Sequence, residues 1–361
     1  MHQQVPLPLW SVAWPMVGCL LLAGSMFGLS GGWWVALLAA GLVGTVLSAV
    51  HHAEVVAHKV GEPYGTLVLA LAITVIEVAL IVSMMLAGGP ETTALARDTV
   101  FAAVMLILNG IVGMCLLAGG SRYREQTFGQ LGVSASLTTL AAIAVLTLVL
   151  PNYTTSVIGP VYSPSQLAFV AIVSLVLYGT FVLVQAVRHR DYFLPPEAAT
   201  NEEVHAQPPS GKHAAISAGL LLLGLVAVVL LAKALAPTIE AAVAGAGAPK
   251  AVVGIIIAMV VLLPEGLAAY RAARANRLQT SLNLALGSAL ASIGLTIPAV
   301  AIVSLATGWT LTLGLDIKSS VLLLLSLFVS SLSLSTGRTT VLQGVVHLVL
   351  LATYLFTTIV P

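Results

Sequence analysis

Glu77 stands alone in TLVLALAITVIEVALIVSMM, and Glu265 stands alone in AVVGIIIAMVVLLPEGLAAY. A carboxylate near the centre of a bilayer costs roughly 2.5–3.5 kcal/mol on insertion scales, so neither acid is there for packing. The alternative is an acid that snorkels or pairs with a base, but no Lys or Arg lies within either stretch. The chemistry open to an isolated carboxylate at that depth is binding a cation or a proton.

The elements that must position these acids are membrane helices. The chain has 361 residues, 59% hydrophobic and 7% charged, against about 25% charged in a soluble domain. So little charge cannot cover a water-facing surface, and the composition predicts an all-α integral membrane protein. A net charge of +1 excludes a large basic face for nucleic acid. Cys19 and Cys115 both lie in apolar runs and are too few for a disulfide framework or a zinc site. Apolar runs of about 20 residues predict eleven spans, at 9–28, 31–50, 63–88, 97–118, 133–151, 166–188, 214–236, 249–270, 280–306, 319–335 and 341–360. The first two are split only by Ser30-Gly31-Gly32, and the tenth is short. The first run has no Lys or Arg before it, so it reads as a retained helix rather than a cleaved signal. Trp10, Trp14, Trp33 and Trp34 read as an interface belt.

With eleven spans, Lys59, Arg122, Arg124, Arg188, Arg190, Lys212, Arg271, Arg274, Arg277 and Arg338 fall on one side, and Arg97, Lys233, Lys250 and Lys318 on the other. Ten against four predicts a cytoplasmic N-terminus and an external C-terminus. The polar segment 189–213, HRDYFLPPEAATNEEVHAQPPSGKH, reads as a cytoplasmic linker. It divides the chain into an N-terminal helix (1–30), a first repeat of five helices (31–188) and a second of five (214–361). An odd number of helices per repeat forces the two to lie inverted, the arrangement of transporters whose site sits at the midplane between repeats. Glu77 is on the second helix of the first repeat and Glu265 on the second helix of the second, so the pattern expects them to face one another across a pseudo-two-fold axis.

Several segments carry a family resemblance: HHAEVVAHKVGEPYGTLVLALAITVIEVALIVSMM, GMCLLAGGSRYREQTFGQLG, VQAVRHRDYF, LLPEGLAAYRAARANRLQTSLNLALGSALASIGLTIPAV and LSTGRTTVLQGVVHLVLLATYLF. In these the chain resembles the calcium/cation antiporter superfamily, in its cation/proton exchanger branch, and most closely the bacterial ChaA-type calcium (sodium, potassium)/proton antiporters. The resemblance implies that Glu77 and Glu265 are the acidic centres of the two repeat motifs and that Ser288 is the serine of the second Gly-Ser motif. Departures from that pattern thin the oxygen set. Thr74 and Leu262 stand where Asn is common three residues before each acid, Ala102-Ala103 replaces the first Gly-Ser pair, and Ala291 replaces a Gln.

Calcium takes six to eight oxygen ligands, with carboxylates favoured, and two acids balance one divalent ion. The remaining ligands are expected from water, from carbonyls near Pro264, Gly266 and Gly287, and from the hydroxyls of Thr74, Ser288 and Ser292. Burial favours a neutral carboxyl, so an empty site tends to hold protons that an arriving cation expels. That is antiport of calcium for protons, with sodium or potassium on the same scaffold as the alternative and a channel as the more distant one. No cofactor is implied beyond the transported ions, and membrane lipid is the expected partner. Asn109 and Asn283 are expected to bond across helices or to line the site. Glu54, Glu62 and His58 are candidates for a cytoplasmic entrance, or simply a solvated loop. Glu197, Glu202 and Glu203 read as a solubilising or calcium-sensing patch, His347 as a core histidine, and Arg97-Asp98 as an interfacial pair. Nothing supports an intramembrane enzyme: there is no His-Glu-x-x-His zinc motif.

Overall fold

A computed structural model describes residues 7–61, 64–194 and 209–360, without the side chains of 64–70, 73, 87, 90 and 91. Glu62, Glu197, Glu202 and Glu203 lie outside the described residues. Among those described, the chain forms eleven helices: α1 (Leu9–Met26), α2 (Gly32–Val60), α3 (Tyr64–Gly88), α4 (Leu95–Tyr123), α5 (Gln130–Tyr153), α6 (Pro164–Arg188), α7 (Gly211–Gly245), α8 (Ala251–Arg274), α9 (Leu278–Thr307), α10 (Ile317–Ser333) and α11 (Val341–Ile359). Nine are long and apolar enough to cross a membrane; α10, with 17 residues, and the Thr74–Leu86 part of α3 are shorter. The protein is an all-α membrane protein with the predicted number of helices.

The breaks between helices have local causes. Gly28 and Gly31 take φ of 84° and 111°, which turns the chain between α1 and α2 at little steric cost. Capping boxes open α6 (Ser163 with Gln166) and α11 (Thr340 with Gln343). The Asp316 carboxylate accepts from the Ser319 N–H at the start of α10. Two helices outrun their apolar signal. The α2 helix continues past residue 50 to Val60, because AEVVAHK contains no helix breaker before Gly61 at φ 75°. The α7 helix passes through Pro237 to Gly245, since a membrane helix tolerates a proline where a soluble one would stop.

By packing, the chain divides into two compact units, each drawing on both halves of the sequence. The first takes residues 1–84 and 204–253, hence α1, α2, most of α3 and α7. In it, Gly18 of α1 brings the helix against α2 and α7: a Cβ there would stand 2.8 Å from Thr45 Oγ1 and 3.3 Å from Leu231 Cδ1. The Ser11 carbonyl accepts from Ser48 Oγ at 2.5 Å and lies 2.8 Å from His52 Nε2, both buried. The tryptophans do not form one belt. Trp10 and Trp33 are exposed, whereas Trp34 is buried with its indole N–H on Ser25, and the Trp14 ring occupies the space that Gly44 leaves.

The second unit takes residues 85–203 and 254–361. Its centre is α4, the most enclosed of the long helices. The α11 helix lies against α4 at backbone distance along a line of glycines. A Cβ on Gly344 would stand 2.5 Å from the Leu117 amide nitrogen and 2.8 Å from its Cα, and one on Gly120 would stand 2.7 Å from the Val341 nitrogen. Buried His347 packs into this seam, 3.0 Å from where Gly113 would carry a Cβ. At one end of the unit, two-residue strands β1 (Gln126–Thr127) and β2 (Arg338–Thr339) pair antiparallel and tie the α4–α5 loop to the α10–α11 loop.

Candidate cation and proton site

Glu265 sits within α8 immediately after Pro264. Pro264 has no N–H for the Val260 carbonyl, so that oxygen is left for another partner within one turn of the acid. Ser288 of α9 donates its hydroxyl to Glu265 Oε2. A hydrogen bond onto a charged acceptor of this kind contributes about 1.5–3 kcal/mol. Buried Ser292 stands one turn beyond Ser288 on the same face of α9. Between α9 and its surroundings there is room at this level: a Cβ on Gly287 would meet nothing within 4 Å among the described residues. Gly266 differs, because its Cβ would stand 3.3 Å from Ile111 Cδ1 of α4, so this glycine serves packing.

Glu77 belongs to the other unit. It is 4% exposed on α3, and Thr74, 3% exposed, stands one turn earlier on the same face. Leu71 and Val75 carry the exposed side of that helix. An acid so enclosed on an apolar helix remains only with compensating partners or a bound positive charge.

Next to Gly266, the α4 helix is not regular. Leu106–Ile111 form a π-helical turn centred on Asn109. Such wide turns occur frequently at functional sites and loosen the ladder of backbone hydrogen bonds. The Asn109 amide donates to Ser326 Oγ of α10 at 2.8 Å, and Ser326 donates in turn to the Leu322 carbonyl. Asn109 therefore bonds across helices. Neither the π turn nor Ser326 was reached from the sequence, where the one cue is an Asn-Gly pair in the apolar run LILNGI. Asn283 is engaged elsewhere, donating to the Phe193 carbonyl and accepting from Gln279. Glu54 and His58 are exposed one turn apart on α2. Ala102, Ala103 and Ala291 are buried and bring no side-chain oxygen.

Comparison with known proteins decides the family. The profile of the sodium/calcium exchanger proteins matches residues 30–187 and 216–360. The chain belongs to this family. It is 48% identical, over 98% of its length and 97% of the relative's, to y4hA of Sinorhizobium fredii, described as a candidate ionic transporter. It is 36% identical to the sodium-potassium/proton antiporter ChaA of Escherichia coli, over 88% of this chain and 86% of that one. Its fold matches the crystal structure of an H+/Ca2+ exchanger, CAX, with a TM-score of 0.72 at 16% identity, over 96% of this chain and 87% of the other. This exchanger-family chain is thus a multi-pass membrane protein whose relatives are transporters rather than enzymes.

Proposed function

We propose that this chain is a secondary active cation/proton antiporter of a bacterial-type cytoplasmic membrane. It exports calcium in exchange for protons by alternating access, and Glu77 and Glu265 each bind cation or proton in turn. The observation that carries this reading is the Glu265 carboxylate, hydrogen-bonded by Ser288 beside an open Gly287, in an exchanger-family chain. A carboxylate so placed has a fixed partner for its charged form. Thr74 is the further oxygen on the helix of Glu77, and Ser288, Ser292 and the Val260 carbonyl are those near Glu265. The family match falls in two stretches, 30–187 and 216–360, which supports two repeats over 31–188 and 214–361 joined by the 189–213 linker. The Lys/Arg sorting supports a cytoplasmic N-terminus and an external C-terminus.

A second reading, sodium or potassium in place of calcium, has its own support. ChaA is named for those ions, and the buried alanines at 102, 103 and 291 leave fewer oxygens than six-to-eight-fold calcium coordination asks for. Reconstitution into proteoliposomes tests both readings. Glu77→Gln and Glu265→Gln should each abolish cation-driven proton flux while the protein still inserts and melts as the wild type does. Flux retained in either variant removes that acid from the mechanism, and competition among calcium, sodium and potassium chooses the ion.

A further inference from the structure

We propose that the loop end of the second unit is a binding site for anionic phospholipid, in particular for a headgroup carrying two phosphates. Eight arginines meet there: Arg122, Arg124, Arg188, Arg190, Arg271, Arg274, Arg277 and Arg338, all exposed. Among the described residues the same loops hold two acids, Glu125 and Asp191, and no lysine; Glu197, Glu202 and Glu203 follow in the sequence outside the described residues. Among the described residues the ion pair at this end is Arg338 with Glu125, at 3.6 Å and well exposed. A pair of that kind contributes little stability and offsets one of the eight charges. The excess positive charge is left facing outward.

The arginines are held in place rather than scattered on free loops. Strands β1 and β2 fix Arg338 beside the segment that carries Arg124. Phe128 N–H donates to the Gly337 carbonyl at 3.0 Å and extends that link. Tyr123 OH donates to the Arg274 carbonyl at 2.9 Å. Gln126, buried, donates to the Ala273 carbonyl at 2.9 Å and to Asn276 Oδ1 at 3.0 Å. The loop carrying Arg122 and Arg124 is thereby tied to the turn carrying Arg274 and Arg277. Asn283 ties in the Arg190–Tyr192 turn through the Phe193 carbonyl. Between the Tyr123 and Gln126 anchors, Arg124 is held at φ 66° and ψ −51° in a γ-turn closed by the Glu125 N–H on the Tyr123 carbonyl, a conformation rare for a residue with a side chain.

Three features select a lipid phosphate. Arginine forks pair bidentately with phosphate, whereas fixing membrane orientation needs only charge, which lysine supplies equally well. Arg122, Arg188, Arg271 and Arg274 occupy the last turns of α4, α6 and α8, at the level where spanning helices leave the membrane. Tyr123 and Tyr270 lie under Arg122 and Arg274 at 5.5 and 5.9 Å, and such amphipathic rings belong at the headgroup level. Arg124 and Arg338 lie on the two loops that the strands join, and Arg274 and Arg277 on the α8–α9 turn, so the patch carries basic groups for two phosphates. The inference stands whichever ion the protein carries.

Native mass spectrometry of the purified full chain tests it, with cardiolipin, phosphatidylglycerol and phosphatidylethanolamine as probes. Cardiolipin should bind most tightly and phosphatidylethanolamine least. Arg124→Gln/Arg274→Gln/Arg338→Gln should weaken cardiolipin binding about a hundredfold, from about fivefold per basic residue at an anionic surface. Lys233→Gln/Lys250→Gln, outside the patch, should leave it unchanged. Equal binding by the triple variant, or no preference for cardiolipin, overturns the proposal. Displacement of the lipid by equimolar pyrophosphate also overturns it, because the site would then serve a soluble anion. If the triple variant does not melt cooperatively, Arg277→Gln and Arg338→Gln singly should each cost about fivefold, and unchanged binding in both overturns the proposal.

Discussion

Gly344→Ala tests whether α11 truly meets α4 at backbone distance. The added methyl would sit 2.5 Å from the Leu117 nitrogen, 2.8 Å from its Cα and 3.0 Å from the Gly113 oxygen. All three are backbone atoms inside a helix, so none can swing aside as a side chain would. Relief requires the helices to separate by most of an ångström, which loosens the packing around His347 and Gly113 as well. Overpacking of this kind costs about 1–3 kcal/mol. Because the overlap is with backbone, the upper part of that range, about 2–3 kcal/mol, applies; alanine returns up to about 1 kcal/mol of helix propensity, so the net loss is roughly 1–2 kcal/mol. Gly110→Ala, on the facing helix, is the matched control. Its methyl would meet only the flexible Leu351 side chain, at 3.4 Å, so it should be neutral or stabilising. Thermal melting of the two purified variants by tryptophan fluorescence should show Gly344→Ala lowered by several degrees (about 2–4 °C per kcal/mol for domains of 150–250 residues). Gly110→Ala should match or exceed the wild type. Equal melting of Gly344→Ala and wild type would refute the close approach.

Ser288→Ala removes the hydroxyl that donates to Glu265. Cation affinity should fall about tenfold or more, from the 1.5–3 kcal/mol of a hydrogen bond to a charged group, with melting unchanged and Ser288→Thr retaining most of the binding. Undiminished affinity in Ser288→Ala would remove that serine from the site. For topology, a reporter fused after Pro361 should be external and one inserted within 195–210 cytoplasmic; both on one side would break the inverted-repeat reading.

Helix number and order were legible in the sequence because each span is an apolar run long enough to stand out, and the two acids were legible because each interrupts such a run. Helix ends were less so. At α2 the apolar signal fades at residue 50, while the backbone continues through residues with no helix breaker until Gly61. Placing a span from its hydrophobicity reports where lipid could sit, not where hydrogen bonding stops. The π turn at Leu106–Ile111 was not legible, because an extra residue in a turn changes backbone pairing without changing composition. The glycine line of α4 and α11 could be seen as glycines but not as partners, since small residues name no contact until two helices are placed together. Asn283 was expected to bond across helices or to line the site, and its partners, the Phe193 carbonyl and Gln279, appear only in three dimensions. The arginines were read by side of the membrane, which fixes their sign but not the strand pair and turn that hold them in register.

The most direct test of exchange at the two glutamates is cation binding to the purified protein across a pH series, with proton release recorded in parallel. Proton and cation competing for the same carboxylates require apparent affinity to climb with pH, by up to about tenfold per unit for each proton displaced, and require protons to appear as the ion binds. Glu77→Gln and Glu265→Gln should flatten that slope. Affinity independent of pH between about 6 and 9, the range to which burial can raise a carboxylic acid, with no proton release, would contradict antiport and leave a channel or uniporter.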